Sequence, residues 1–217
     1  MGISGRRPQV MTFARLAAVI AGRKDPGSGR CLVVGIDGMS GSGKTEFARR
    51  LATELAAPVL STDDLVRGWD GLAESIGLLT DWVLRPLAAG QPAHWQRYDW
   101  LAGRPGEWAS LDPVDFLVIE GCCAGLSPAA AYLSCLIWID VPEAERRRRL
   151  ERRADWPAYA PFAERWARQE AALQAAAETA ARADLVVDNS AGTPAGGLPG
   201  SFACFRRVRT GGPDRGQ

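Results

Sequence analysis

The feature that most constrains the fold is a junction within residues 31–51, where an apolar run passes through a glycine-rich loop into a helix-forming segment. The run CLVVGID at residues 31–37 has the length and the β-branched composition of a buried strand. From Lys44 to Ala57 the residues are strong helix formers, and their apolar members recur on one helical face. The loop between the two segments, residues 38–43, has few side chains with which to join a core, so its backbone is available to a ligand.

Residues 38–45 fit the phosphate-loop pattern G-x-x-x-x-G-K-S/T at every position, and the strand before them and the helix after them are the context that the pattern requires. In such a loop, backbone N–H groups and the helix N-terminus attract phosphate. The ammonium of Lys44 can reach the β- and γ-phosphates, and the hydroxyl of Thr45 can bind Mg²⁺. A Gly/Ser linker would explain the glycines but not the Lys-Thr pair. The residues predicted to bind the nucleotide phosphates are Gly38, Ser40, Gly41, Ser42, Gly43, Lys44 and Thr45.

The pattern of a short apolar strand followed by a helical stretch repeats along the chain. Further strand-like segments are PVLST, DFLVIEG, CLIWIDV and DLVVD, with helical stretches near residues 75–89 and 143–183. Such alternation is typical of α/β proteins in which helices cover both faces of a parallel sheet. Together with the phosphate loop, it predicts a P-loop NTPase fold with a mainly parallel β-sheet.

Charge and composition argue against several classes of partner. The 26 basic and 25 acidic side chains nearly cancel, so we expect neither a nucleic-acid partner nor an anionic membrane surface. No run of about 18 apolar residues is present, which argues against a membrane span. The five cysteines show no C-x-x-C spacing, and buried, reduced thiols in a cytoplasmic protein are expected.

Two carboxylates follow the second predicted strand, in the sequence Ser61-Thr62-Asp63-Asp64. Ligands of open α/β sheets bind at the carboxyl ends of parallel strands, where these side chains would lie. A carboxylate there can accept the proton of an attacking hydroxyl or help to hold Mg²⁺. For Asp64, a role as the N-cap of a following helix is an equal alternative.

With these residues, the chain resembles the uridine kinase-like branch of the P-loop kinases, which includes phosphoribulokinase and pantothenate kinase. The resemblance covers roughly residues 31–188. GIDGMSGSGKT is similar to the phosphate loop of the family, including Asp37 before it. LSTDDL resembles the segment whose first aspartate is the catalytic base in the family, and that position falls on Asp63.

Two further motifs resemble the acceptor side of these kinases. RGWDGL at residues 67–72 stands where uridine kinases carry an aspartate that binds the ribose hydroxyls, so Asp70 would take that place. RYDW is similar to the Tyr-Asp-Phe stretch that approaches the nucleobase, which implies substrate-binding roles for Tyr98 and Trp100. An equal alternative is that Trp100 packs in the core and Tyr98 lines it. Arg104 is a further substrate-binding candidate. The histidine expected shortly after this stretch is absent, so we expect a changed acceptor pocket.

The remaining motifs concern the metal and the transferred phosphoryl group. DFLVIEG resembles the second acidic strand of the family, where Glu120 would face Mg²⁺, and the implied metal ligands are Thr45, Asp63 and Glu120. The arginine-rich stretch after CLIWIDV is similar to the lid that closes on the phosphates. Catalytic lid residues by this resemblance are Arg149, Arg152 and Arg153, while the other arginines are expected on a solvated face with Glu143 and Glu145.

The resemblance implies a kinase that uses ATP and Mg²⁺ to phosphorylate a hydroxyl of a small molecule, such as a nucleoside or a sugar-like alcohol. Asp63 and Lys44 would be its central catalytic residues. No guanine signature N-K-x-D is present, which favours ATP over GTP. Two alternatives are a nucleoside monophosphate kinase, which would need more arginines in the acceptor segment, and a non-catalytic ATP-binding regulatory module.

The 217 residues fit one globular domain better than two. Residues 1–30 are predicted to contain a leading helix at residues 10–22 and a linker. Residues 31–189 would form the P-loop kinase domain. Residues 190–217 are rich in Gly, Pro and Arg, and they are predicted to be a mostly disordered tail.

Overall fold

The computed structural model describes residues 9–23, 31–190 and 200–204. The strands in these ranges are β1 Gln9–Thr12, β2 Leu32–Asp37, β3 Val59–Ser61, β4 Ala93–Asp99, β5 Arg104–Leu111, β6 Phe116–Glu120, β7 Cys135–Asp140, β8 Leu185–Asp188 and β9 Ser201–Cys204. The α-helices are α1 Phe13–Ala21, α2 Lys44–Leu55, α3 Leu72–Leu79, α4 Arg85–Ala88, α5 Glu143–Glu151, α6 Trp156–Tyr159, α7 Ala163–Ala177 and α8 Thr179–Arg182. Thr80–Leu84 is π-helical, and short 3₁₀ turns occur at Thr62–Asp64, Ala129–Tyr132 and Ala160–Phe162.

Seven of these strands form one sheet in the order β1-β9-β8-β7-β2-β6-β3. The strands from β8 to β3 in this order run parallel, whereas β9 is antiparallel to both of its neighbours. This arrangement confirms the predicted α/β fold with a mainly parallel sheet. None of the described helices is long and apolar enough to cross a membrane.

Two hydrophobic cores lie on opposite faces of the sheet because side chains alternate along each strand. On β2, Val34 and Ile36 pack in the core that contains α1 and α2, whereas Val33 packs in the core that contains α3 and α7. Both cores are covered by helices, so each strand of the central sheet is apolar on both faces. The phosphate loop therefore starts from a strand that is buried on all sides.

The leading helix is shorter than the sequence predicted. Residues 10–12 belong to β1, and the helix begins at Phe13 after Thr12, whose side chain accepts a hydrogen bond from the Arg15 N–H at 3.2 Å. The prediction was wrong at this boundary because a threonine in extended conformation is a good N-cap and ends the strand as it starts the helix.

The predicted disordered tail contains a strand. Ser201–Cys204 forms β9, which pairs with β8 and β1. Phe202 of this strand packs against Phe13 and Phe47 with ring centroids 5.0 and 4.9 Å apart. Four residues are too few to show a period in the sequence, and tertiary pairing decides their conformation. The other parts of that predicted tail, residues 191–199 and 205–217, lie outside the described residues, as do 1–8 and 24–30.

Two features outside the sheet shape the site. The helical stretch predicted over residues 143–183 is broken into α5, α6, a 3₁₀ turn, α7 and α8, with prolines at the starts of α6 and of the 3₁₀ turn. Strands β4 and β5 form a separate antiparallel hairpin, which has a register shift between Gln96 and Tyr98. The hairpin and the α6–α7 region both face the phosphate loop.

Candidate active site

The phosphate loop connects β2 to α2 and is held in a curled form by its neighbours. Gly41 and Gly43 have φ values of 81° and 88°, in the left-handed region that favours glycine. A Cβ on Gly41 would lie 2.6 Å from the backbone oxygen of Arg146, and one on Gly43 would lie 2.5 Å from Nδ2 of Asn189. Because Asn189 Nδ2 also donates to the Ser42 carbonyl at 2.8 Å, the loop is braced by the segment after β8.

Asp37 supports the phosphate loop through hydrogen bonds. It does not line the cavity that opens beside the loop. Its fully buried carboxylate accepts hydrogen bonds from the backbone of Gly38, Cys123 and Gly125 and from the side chain of Gln174, at 2.7 to 3.0 Å. Burial raises the pKa of Asp37, although the hydrogen bonds from Gly125, Gln174 and Gly38 oppose the rise. The residue that the resemblance singled out before the loop thus ties β2, the β6 end and α7 together.

A cavity of about 820 Å³ opens beside the loop, and it has the size expected of a small-molecule site. Its lining residues fall into two chemical groups. The polar and loop residues are Ser40, Gly41, Gly43, Lys44, Thr45, Arg49, Asp63, Cys122, Arg149, Arg153 and Asp155. The apolar and aromatic residues are Trp69, Trp100, Leu101, Ala158, Tyr159 and Trp166. Gly38 and Ser42 belong to the loop but do not line the cavity.

Lys44 lines this cavity and is only 9% exposed. Burial alone would lower the pKa of its ammonium, but the titratable groups around it raise that pKa overall. These groups are Cys122, Glu170, Asp63 and Glu120. Lys44 therefore stays charged and partly neutralises an acidic surrounding.

Two of the three predicted metal ligands are in direct contact. Thr45 Oγ1 donates to Glu120 Oε2 at 3.1 Å, and Glu120 is almost completely buried at the end of β6. Among the described residues, no group of three or more His, Cys, Asp or Glu side chains is arranged to hold a metal ion. A Mg²⁺ ion at Thr45 and Glu120 would thus need ligands from phosphates and water, which is how Mg²⁺ is usually bound.

Asp63 lies directly after β3 and lines the cavity. The Trp100 Nε1–H donates to its backbone oxygen at 3.0 Å, which fixes the hairpin against this turn. Its carboxylate is reached by solvent, yet desolvation by the surrounding protein raises its pKa, and Lys44 opposes this rise. The neighbouring Asp64 is not an N-cap: it ends the 3₁₀ turn and forms an ion pair with Arg97 at 3.2 Å.

Two of the three predicted lid arginines line the cavity. Arg149 donates to Glu145 at 2.8 Å and to the Asn189 carbonyl at 2.7 Å, and Arg153 is paired with Asp155. Arg152 is exposed and lies outside this cavity, so its role stays a prediction.

The first arginine of the run contacts the phosphate loop, although the sequence assigned it to a solvated face. Arg146 Nη1 donates to the Ser40 carbonyl at 3.2 Å, and its Nε donates to the carbonyl of Val141. The end of β7 and the start of α5 bring it there. Arg147 and Arg148 are exposed and paired with glutamates of the same helix, Glu151 and Glu145.

The predicted acceptor residues are divided between the cavity and the surface. Trp100 lines the cavity, and Tyr98 supports it with ring centroids 5.2 Å apart. Asp70 is exposed and forms an ion pair with Arg165 of α7. Arg104 lies opposite Asp99 in the backbone register of the β4–β5 hairpin. Neither Asp70 nor Arg104 lines this cavity, and substrate contact by either stays a prediction.

A buried carboxylate that the sequence did not predict, that of Glu170, contacts the phosphate loop. Glu170 of α7 is 1% exposed and accepts the backbone N–H of Ser40 on both oxygens at 3.2 Å and the Ser40 hydroxyl at 2.6 Å. It also accepts hydrogen bonds from Trp166 Nε1 at 2.9 Å and from the thiol of Cys122. A glutamate in an Ala- and Arg-rich helix looks like a surface residue, and the only sequence signal is Trp166 one turn earlier on the same face.

Glu170→Gln is expected to lower the free energy of unfolding by about 2 kcal/mol, because the amide would turn an N–H group towards donors that now meet a carboxylate. Urea unfolding monitored by circular dichroism measures the change. Glu164→Gln is the matched control on the exposed side of the same helix, and there we expect a change of less than about 0.5 kcal/mol. Equal stabilities for the two variants would show that the contacts of Glu170 contribute nothing to folding.

No protein-family model and no curated protein sequence matches the chain. Many solved structures match it, and the following two each match most of the chain. A candidate uridine kinase from Bacillus stearothermophilus is 23% identical with a TM-score of 0.57, and the match covers 80% of this chain and 96% of that one. A candidate fructose transport system kinase from a Silicibacter species is 24% identical with a TM-score of 0.58, and the match covers 75% of this chain and 95% of that one. The matches confirm the fold that the resemblance predicted.

Proposed function

We propose that the protein is a kinase that uses ATP and Mg²⁺ to phosphorylate a hydroxyl group of a small molecule. The observation that carries the proposal is one cavity lined at the same time by the phosphate loop, the cation Lys44 and the carboxylate Asp63. The names of the two structural matches support an alcohol as the acceptor group. The nearly balanced charge and the five buried cysteines support a cytoplasmic location.

The residues present fit a nucleotide with its metal ion. Gly41 and Gly43 adopt left-handed conformations that keep the loop curled against Arg146 and Asn189, and the N-terminus of α2 follows directly. Lys44 would contact the phosphates, while Thr45, Glu120 and Asp63 would hold Mg²⁺ directly or through water. When bound, the Mg²⁺ nucleotide supplies the phosphoryl group and neutralises part of its charge.

In this proposal the cavity residues divide into a base, a set of cations and an aromatic group. Asp63 accepts the proton of the acceptor hydroxyl, because it is a carboxylate that lines the same cavity as the phosphate loop. Lys44, Arg149 and Arg153 stabilise negative charge on the phosphoryl oxygens. The aromatic residues exclude water, which disfavours hydrolysis. Most of the catalysis would then come from positioning and electrostatics.

The nucleoside monophosphate kinase alternative is less well supported. Its acceptor carries a phosphate, and arginines of the acceptor segment would have to bind that phosphate. None of the four arginines in residues 64–104 lines the cavity, and three of them form ion pairs. The pairs are Arg67 with Glu74, Arg85 with Asp81 and Arg97 with Asp64, and the fourth arginine is Arg104.

The test is release of ADP from ATP and Mg²⁺ in the presence of a pool of small metabolites, with fractionation of the pool to find the acceptor. We expect release that depends on an acceptor with a free hydroxyl, and a weaker signal with GTP. ATP binding without any acceptor-dependent turnover would favour a regulatory module instead. An acceptor that already carries a phosphate at the reacting oxygen would favour the monophosphate kinase.

A further inference from the structure

One part of the cavity lining is a continuous wall of aromatic rings drawn from three parts of the chain. Trp69 follows the turn after β3, Trp100 follows β4, and Tyr159 and Trp166 come from α6 and α7. Trp69 lies at the centre, with ring centroids 4.9 Å from Trp100, 5.6 Å from Tyr159 and 5.9 Å from Trp166. A ligand in this part of the cavity would therefore meet rings on several sides.

Two of the indole N–H groups in this wall already donate hydrogen bonds within the protein. The Trp100 Nε1–H donates to the Asp63 carbonyl, and the Trp166 Nε1–H donates to Glu170 and to the Ser40 hydroxyl. Burial raises the pKa of the Tyr159 hydroxyl to about 12, although the side chain of Ser40 opposes the rise. The N–H groups of Trp100 and Trp166 are thus already paired and not free to bind a ligand. A polyhydroxylated ligand would lose hydrogen bonds to water here without replacing them.

The rim of the cavity carries a second, independent sign of an apolar ligand. Leu101, at the tip of the β4–β5 hairpin, lines the cavity and is 99% exposed. Leu111, at the end of β5, instead packs against the core. An exposed leucine at the mouth of a site gains about 1.5–3 kcal/mol if an apolar group covers it fully.

We propose that the acceptor is an alcohol carried on a flat, largely apolar body, such as an aromatic ring, rather than a bare sugar. This inference rests on the proposed kinase function for its chemistry. The acceptor oxygen forms a bond to the γ-phosphorus of ATP, the bond from that phosphorus to the β,γ-bridging oxygen breaks, and ADP leaves. The hydroxyl proton goes to Asp63. The aromatic wall holds the body of the acceptor, and ring stacking selects its shape.

The first experiment measures binding without turnover. Isothermal titration calorimetry, with a non-hydrolysable ATP analogue and Mg²⁺ present, compares indole-3-ethanol and 2-phenylethanol with uridine and D-fructose. We expect the two aromatic alcohols to bind about tenfold or more tightly than the polar pair, because only they match the carbon surface of the wall. Tighter binding of uridine or fructose would overturn the inference, and so would the absence of binding by all four probes.

A variant pair links the binding to the wall. Leu101→Ser is expected to weaken indole-3-ethanol binding about threefold to tenfold while leaving the affinity for the ATP analogue unchanged. Ala102→Ser is the control, since Ala102 is also exposed in the same turn but does not line the cavity. Because Leu101 is fully exposed, its replacement leaves the packed core intact. Equal binding by the two variants would contradict the inference.

A second measurement separates this inference from the kinase proposal. Phosphorus NMR with ATP and Mg²⁺ shows whether the tested alcohols become phosphate esters. Binding of the aromatic alcohols without any phosphate ester from any tested alcohol would leave the acceptor-pocket inference standing and count against the kinase proposal. Phosphorylation of uridine or fructose with no binding of the aromatic alcohols would support the kinase proposal and contradict the acceptor-pocket inference.

Discussion

Asp63→Asn is expected to lower kcat for the acceptor about 10²–10⁴-fold while the affinity for ATP stays nearly unchanged. Asparagine keeps the size of the side chain but cannot accept the hydroxyl proton as a base. Steady-state kinetics with the identified acceptor measures the loss, and calorimetry measures ATP binding. A variant with the full rate would remove Asp63 from the mechanism.

Asp64→Asn is the matched control for this prediction. Asp64 is the next residue, and its carboxylate pairs with Arg97 without lining the cavity. Since exposed ion pairs contribute little, we expect activity and stability to change only slightly. A comparable loss in both variants would indicate that the turn after β3, rather than the Asp63 carboxylate, is what matters.

The raised pKa of Asp63 adds a pH signature to the same prediction. Desolvation raises this pKa above the ordinary value of 3.8, and Lys44 opposes the rise. A base works only when ionised, so kcat/KM should fall on acidification at a higher pH than an ordinary aspartate would cause. The acid limb assigned to this group should vanish in Asp63→Asn. The effect of this group on the free energy of unfolding runs in the other direction. Because the pKa of Asp63 is raised in the folded state, its protonation stabilises the fold at low pH, and this contribution is lost as the pH rises through the raised pKa.

The parts of the site that lie near one another in the chain could be predicted from the sequence. The phosphate loop, its strand and its helix form one continuous segment, so pattern and context agree without knowledge of the fold. Asp63 and Glu120 could be predicted because parallel strands bring their carboxyl ends to one edge. The contact between Thr45 and Glu120 is the structural result of that rule.

The parts that depend on long-range packing could not be predicted. Glu170 meets Ser40 across 130 positions, and no local pattern marks a glutamate that will become buried. Tyr159 and Trp166 reach the cavity only because prolines break the helical region before α7. Strand β9 is decided by pairing with β8, whose backbone groups need partners on that side.

Lys44→Met is expected to lower kcat/KM about 10²–10³-fold and, unlike Asp63→Asn, to weaken ATP binding as well. Methionine replaces much of the aliphatic stem but removes the charge that faces the phosphates. It also removes the cation that lowers the pKa of Asp63, so the acid limb of any residual activity should move to still higher pH. Calorimetry with ATP and a pH–rate profile measure the two effects.

Arg49→Met is the control for the loss of a cation as such. Arg49 also lines the cavity and lies on α2, but it is exposed to solvent, whereas Lys44 is nearly buried. A charge that is screened by water contributes less to a developing negative charge than one held in a desolvated site. We therefore expect Arg49→Met to change kcat/KM by less than about tenfold. Equal losses in the two variants would mean that the total charge of the cavity, and not the ammonium at the end of the phosphate loop, drives phosphate binding.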